Sequence, residues 1–345
     1  METADKRQPV RTVVLEGRAQ RFAAGAREPI LLAALKAGVP LAYECGSGTC
    51  GSCRARLIEG RVASRWADAP GLSAEARARG EVLLCQAEAL SDCRVAARLL
   101  APGARELPPV RSLPGVIEAA APCALDMYLL TLRLQQALRF LPGQYVLLEL
   151  PDVHGLRAYS IANAMGHDAA RLELYVRRSP GGSASPTLCD PAARGTRVRV
   201  HGPMGLAYLP PGLSSDLLCI AGGSGLAPIL SIVRTAAANG YLNAHRLSLF
   251  VGARSERHLF AIDELEALRE RYPEAVELSV SLSDAPPAAP GRESGFVHES
   301  LARRIRQLPD REVFLAGPEQ MVDACKRTLI GGGVRPRRIH FDRFT

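Results

Sequence analysis

Four cysteines carry the most specific chemistry in this chain. The run Cys45-Gly46-Ser47-Gly48-Thr49-Cys50-Gly51-Ser52-Cys53 sets three thiols in one glycine-rich loop, and Cys85 follows far downstream in VLLCQA. C-x4-C-x2-C with a distant fourth cysteine is the ligand spacing of a plant-type [2Fe–2S] cluster. One tight loop has to wrap two irons with three thiolates, so small residues are needed where backbone amides turn toward sulfur. The fourth thiolate then locks the loop to the rest of the fold. Zinc favours paired C-x2-C knuckles or cysteine–histidine mixtures, and this loop has one such pair and no neighbouring histidine. A Rieske centre needs two histidine ligands, which are absent for the same reason.

Three further segments suit nucleotide chemistry. Arg157-Ala158-Tyr159-Ser160-Ile161-Ala162-Asn163 offers an arginine for a phosphate and a tyrosine for a flat ring system. RRSPGGSASPTL, a little further on, supplies small residues whose free amides let a pyrophosphate approach. The apolar run Leu217-Leu218-Cys219-Ile220-Ala221 leads into Gly222-Gly223-Ser224-Gly225-Leu226-Ala227-Pro228 and then a helical stretch. That is not G-x-G-x-x-G, but it follows the same physics: a tight glycine turn places a helix N-terminus, with its amides and dipole, against a pyrophosphate. Pro228 suits the first helical turn, and Asn239-Gly240 suits the stop.

The elements that position these groups fall into three textures. Residues 8–100 hold a strand-like start at Val10–Leu15, a helical run at Ile30–Ala37 and the cysteine loop. Residues 101–113 are proline-rich, with Pro102, Pro108 and Pro109, and read as a linker. Residues 114–211 give strand after strand (YVLLEL, RLELYVR, RVRVHGP) between Pro/Gly turns, the pattern of an antiparallel barrel or sandwich. From 212 to 345 apolar strands (LLCIAG, LSLFVGA, VELSVSL, EVFLAG) alternate with helical runs (PILSIVRTAAA, IDELEALRERY, SLARRIRQL, QMVDACKRTLI), which predicts a parallel doubly wound sheet. A chain of 345 residues has room for such a multidomain plan.

Bulk properties exclude several functions. No apolar run is long enough to span a bilayer, and METADKRQPV lacks the apolar core of a signal peptide, so a cytoplasmic protein that binds no membrane is expected. The net charge of +8 is nearly all arginine, with lysine only at Lys6, Lys36 and Lys326. The skew is read either as genome composition or as a basic face steering an acidic protein partner. With aromatics at 5% and no basic run interleaved with them, nucleic acid is not a partner. Of the nine cysteines, Cys93, Cys123, Cys189, Cys219 and Cys325 stand outside the ligand pattern and read as buried small hydrophobes.

YECGSGTCGSCRARLIEG followed by VLLCQA resembles plant-type ferredoxins, and RxYS, GxxS and GGSGLAP in this order resemble the ferredoxin–NADP reductase family. Together with GPMGLAYL (Gly202–Leu209), AGGSGLAPILSIVR, VGARSERHLF and the terminal HFDRF, nearly the whole chain resembles the reductase components of bacterial aromatic-ring-hydroxylating dioxygenases, of the naphthalene dioxygenase reductase type. The resemblance implies a β-grasp ferredoxin domain, an antiparallel β-barrel flavin domain and an α/β nicotinamide domain. It implies Cys45, Cys50, Cys53 and Cys85 as cluster ligands, and FAD held by Arg157, Ala158, Tyr159, Ser160, Asn163, Tyr175, Val176, Arg177, Gly181, Gly182, Ser183 and Ser185. Arg157 would hold the flavin phosphates, Tyr159 would lie against the isoalloxazine and Ser160 would approach its N5. Gly223, Ser224, Gly225, Arg254, Gly317 and Pro318 would take the nicotinamide coenzyme, with Ser160 and Ser224 beside the reacting atoms and Phe344 near the flavin. Many members carry a cysteine before the Gly-Pro pair of FLAGP; Ala316 stands there in this chain. NADH is the family's coenzyme, whereas Arg254, first after its strand, leaves NADPH open.

The implied activity passes electrons from NAD(P)H through FAD and the cluster to a Rieske-type ferredoxin or directly to a terminal oxygenase, in a monomeric protein. Reductases of di-iron phenol- or methane-type monooxygenases and of deoxysugar dehydratases share the module order. A non-enzymatic [2Fe–2S] carrier or sensor is the reading from another class, and it leaves RAYSIAN and GGSGLAP without a task.

Overall fold

The structure, a computed structural model, describes residues 9–100, 107–166, 170–284, 290–304 and 310–344. It divides into two compact units, one running up to Ser112 and including His154–Ala158, the other Leu113–Val153 with Tyr159 onward.

In the first unit β1 (Arg11–Leu15) and β2 (Arg21–Ala24) form a hairpin, followed by α1 (Ile30–Lys36), β3 (Arg54–Glu59), β4 (Val62–Ser64), α2 (Ala74–Ala78), β5 (Glu81–Leu83), β6 (Ala87–Ala89) and β7 (Cys93–Ala96). The sheet order is β2-β1-β7-β3-β5, with β1 and β7 parallel and the other pairs antiparallel. This mixed sheet is grasped by α1, which buries Ile30 through Ala34 because five successive apolar or small residues leave no polar face there. The cysteine loop fills the connection from α1 to β3.

The barrel region is built from β8 (Arg111–Pro122), β9 (Met127–Leu134), β10 (Tyr145–Glu149), β11 (Arg157–Ser160), β12 (Arg171–Arg177), α3 (Ser185–Leu188) and β13 (Arg197–Met204), all in the second unit but for Arg111–Ser112 and Arg157–Ala158. The order is β11-β10-β13-β8-β9-β12, and an Ile161–Leu174 bridge brings the two end strands together, so the six strands nearly close. β8 begins at Arg111, inside the proline-rich segment read as a linker; residues 101–106 of that segment lie outside the described residues.

The nucleotide region follows as β14 (Leu217–Gly222), α4 (Leu226–Ala238), β15 (Leu247–Ala253), α5 (Ile262–Arg271), β16 (Val276–Leu282), β17 (Arg292–Ser294), α6 (Val297–Arg304), β18 (Glu312–Pro318), α7 (Glu319–Gly331) and β19 (Ile339–Phe344). All pairs in β17-β16-β15-β14-β18-β19 are parallel. Alternate β14 residues serve opposite layers: Leu217, Cys219 and Ala221 pack toward α4 and α5, Leu218 and Ile220 toward α6 and α7. Coverage on both faces is why β14 reads as an unbroken apolar run. The helical run SLARRIRQL begins earlier than expected, at Val297, and its residues 305–308 lie outside the described residues. Met127, Ala162, Tyr175 and Leu209 of the barrel region join the core under α4, so barrel and nucleotide regions form one unit. No helix among the described residues is long and apolar enough to cross a membrane.

Candidate functional site

The four predicted ligand cysteines come together in the first unit. Cys45, Cys53 and Cys85 are buried and Cys50 is half-buried. The thiols form two hydrogen-bonded pairs, Cys45 with Cys50 and Cys53 with Cys85. The shared bond lowers Cys45 and raises Cys50, and in the same way lowers Cys53 and raises Cys85. Among the described residues no set of three ligands converges on a single ion. Four thiols, three from one C-x4-C-x2-C loop and the fourth from a distant segment, are the donor set of a plant-type [2Fe–2S] cluster. Donors already face the sulfurs: the Ser47 and Ser52 amides reach Cys45 and Cys50 Sγ at 3.4 Å each, and Gln86 Nε2 reaches Cys85 Sγ at 3.7 Å. The loop packs so closely that a Cβ on Gly51, at φ +75°, would stand 2.7 Å from the Gly71 carbonyl oxygen. The residues present therefore fit a [2Fe–2S] cluster.

The candidate nucleotide site lies where the strand order reverses between β14 and β18, outside their carboxyl ends, where open α/β sheets bind ligands. A cleft of about 430 Å³ opens there, lined by Gly222, Gly223, Arg254 and Pro318 among others. α4 starts after a Gly223–Gly225 turn and its first amides have no side-chain cap, which leaves donors for an anion. Ser224 is half-buried on that turn, and Gly225 and Gly317 are packed beneath it. Ala316 is buried in β18 opposite Ala221. Phe344 is half-buried at the end of β19, in register with Pro318.

Sequence reasoning missed several walls of this cleft. Asp126 and Met127 line it from the barrel side, and Asp126 accepts a hydrogen bond from Arg177 Nε at 2.6 Å. The Met127–Arg177 register of β9 and β12 brings them together, and no sequence spacing signals it. Phe296, 58% exposed, lines the mouth with His258 and His298. A large exposed aromatic after a strand end was the available signal. Asp284, just beyond β16, pairs with Arg254 Nε at 2.7 Å. That hydrogen bond holds the Asp284 carboxyl below the usual range.

Around the flavin motif, Arg157 is half-buried, with Nη1 donating to the Leu156 carbonyl at 3.2 Å, and Ala158 is exposed. Tyr159 is half-buried and Ser160 is buried at 7% exposure. Asn163 is buried: its Nδ2 donates to the Arg171 carbonyl and its Oδ1 accepts from the Glu173 amide. Tyr175 packs its ring 4.5 Å from that of Phe260, and Val176 lies in the barrel core. Gly181 and Ser183 are exposed and Gly182 is half-buried, while buried Ser185 receives the Ser179 amide at 2.9 Å. Of the remaining cysteines, Cys93, Cys189, Cys219 and Cys325 are buried; Cys123 is exposed, contrary to expectation, because it sits past the last inward-facing residue of β8.

Residues 13–90 match the 2Fe-2S iron-sulfur cluster binding domain, 116–208 the oxidoreductase FAD-binding domain and 219–327 the oxidoreductase NAD-binding domain. The chain is 36% identical to the ferredoxin–NAD(+) reductase component of the alkene monooxygenase system of Xanthobacter autotrophicus, over 94% of this chain and 97% of that one. It belongs to the family of ferredoxin–NAD(P)+ reductase components of oxygenase systems. The reductase component of the naphthalene 1,2-dioxygenase system of Pseudomonas putida is 32% identical over 94% of each chain. A solved ferredoxin reductase of carbazole 1,9a-dioxygenase superposes with a TM-score of 0.86 at 33% identity, covering 98% of this chain and 99% of that one. The reductase is thus an oxidoreductase with cluster, FAD and NAD(P)H sites, as its sequence led us to expect.

Proposed function

We propose that this reductase takes electrons from NADH and delivers them to a Rieske-type ferredoxin or to the terminal oxygenase of an aromatic-ring dioxygenase system. The observation that carries the reading is the presence in one chain of the paired-thiol loop and the cleft at the strand-order reversal. When bound, FAD accepts a hydride as an electron pair and the [2Fe–2S] cluster relays its electrons one at a time.

The chain's own residues bind, orient and exclude water. The uncapped start of α4 receives the coenzyme pyrophosphate, and Gly223, open to the cleft, lets it approach the backbone. Ser224 and Ser160 flank the reacting atoms. Arg157 would hold flavin phosphates, Gly182 and Ser183 would offer free amides to phosphate, and Tyr159 would lie against the ring. Cys45, Cys50, Cys53 and Cys85 hold the cluster, and the Ser47, Ser52 and Gln86 donors stabilise charge on its sulfurs. Nine cysteines, all free, suit a reducing cytoplasmic compartment.

Asp284 sets the coenzyme preference by cancelling the charge of Arg254 and opposing a 2′-phosphate. Asp284→Asn should raise the ratio of kcat/KM for NADPH to that for NADH about tenfold, since Arg254 is then free for phosphate. Steady-state assays with both coenzymes check this; an unchanged ratio means that the pair does not read the ribose.

Anaerobic titration of the purified reductase with NADH tests the function. Bleaching of the flavin bands together with loss of the cluster's visible absorbance is expected. A protein that binds both groups and is not reduced by NADH would overturn the proposal.

A further inference from the structure

Three polar side chains interrupt the apolar inner face of α4, at the i, i+3, i+4 spacing that aligns residues on one side of a helix. Ser231 is fully buried and donates from Oγ to the Asn163 carbonyl at 2.6 Å. Thr235, 2% exposed, accepts the Met165 amide at 2.8 Å. Arg234 donates from Nη1 to the Ala162 carbonyl at 2.9 Å and to Glu173 at 3.0 Å, and grips Glu264 of α5 with two bonds of 2.7 Å. A helix that needed only to pack would carry apolar residues here, because a buried hydroxyl is tolerated only where its hydrogen bond is made.

Each of the three side chains holds a backbone group of residues 162–165, the segment that follows Tyr159-Ser160-Ile161. We infer that Ser231, Arg234 and Thr235 form a clasp that sets the separation between the flavin-facing strand end and the coenzyme-binding start of α4. They are positioning residues for hydride transfer. Ser231 lies about 7.5 Å along the helix from Leu226 at 1.5 Å per residue, so the rigid rod carries the position of the clasp to the Gly223–Gly225 turn. Hydride transfer moves two electrons and one hydrogen nucleus together, from C4 of the reduced nicotinamide to N5 of the flavin, leaving oxidised nicotinamide. Its rate depends steeply on that separation. The inference rests on the function proposed above.

The test compares full-length wild type with Thr235→Val, Ser231→Ala and Arg234→Lys, by hydrogen–deuterium exchange and by single-turnover reduction at saturating NADH. In Thr235→Val, exchange in peptides covering 162–165 should quicken about tenfold while β14 and β18 stay protected, and reduction should slow about tenfold. NADH affinity and flavin content should stay within about twofold. Arg234→Lys, which keeps the charge but loses the planar fork, should fall between the two in both readings. If Thr235→Val does not fold, Ser231→Ala, whose hydroxyl donates to the Asn163 carbonyl and holds no amide, tests the clasp by the same slowing of reduction. Unchanged exchange, or faster exchange with an unchanged reduction rate, overturns the clasp. A wild type that NADH fails to reduce overturns the functional reading instead, and the exchange data alone then decide whether the clasp exists.

Discussion

Cys85→Ser should leave the reductase able to take electrons from NADH and unable to pass them on singly. Cys85 is the one proposed ligand contributed from outside the glycine-rich loop, buried at 3% exposure and paired with Cys53. Without its thiolate the Cys53 pair loses a soft donor, and the loop loses its tether to the segment between β5 and β6. NADH-dependent reduction of a one-electron protein acceptor such as cytochrome c should fall by more than about 100-fold, beyond the 10–100-fold loss typical when only an outer partner of a ligand is removed. Ferricyanide, small enough to be reduced at the flavin, should still be turned over within about threefold of wild type. The two acceptors assayed side by side locate the break. Cytochrome c reduction at the wild-type rate would put the cluster off the electron path.

The contrast between these ligands and the rest of the site explains what could be read from the sequence. Cys45, Cys50 and Cys53 share one short loop whose geometry is nearly local, so spacing alone identifies their chemistry. β14 was equally legible, because burial on both faces writes an uninterrupted apolar run, and so was the glycine turn into α4. Asp126 and Arg177 meet only through the β9–β12 register, and Asp284 meets Arg254 only because β15 and β16 are parallel neighbours ending at one level. β17 is three residues long and β19 carries His340, Asp342 and Arg343 among its six, so neither resembles a core strand. Ser231, Arg234 and Thr235 read as mild polar breaks in an apolar helix; their meaning lies in which carbonyls and amide they face. Tertiary partners are invisible to periodicity, and the groups proposed to discriminate coenzymes and to position α4 are defined by such partners.

Gly225→Ala and Gly223→Ala, two residues apart in one turn, should fail in different ways. A Cβ on Gly225 would lie 2.2 Å from the Ala316 carbonyl oxygen and 2.6 Å from the Gly317 amide nitrogen, both backbone atoms of β18 that cannot rotate away. The turn must lift off β18 and take the start of α4 with it, so the damage is to the fold at the strand-order reversal. Overpacking of this kind costs about 1–3 kcal/mol, and NADH-dependent reduction should drop by more than about 100-fold because near-attack geometry tolerates displacements of well under 1 Å. Gly223 sits at φ +54° with nothing within 4 Å of the added methyl. Its alanine variant bears only the left-handed backbone penalty of about 1–2 kcal/mol, while the methyl projects into the space the pyrophosphate needs. KM for NADH should rise about tenfold or more, as loss of uniform binding predicts, with kcat changed little. Thermal unfolding and NADH saturation curves on both variants separate the cases. A Gly223→Ala enzyme with wild-type KM would show that the coenzyme does not approach this turn, and a Gly225→Ala enzyme with wild-type reduction rate would show that contact with β18 does not set the position of α4.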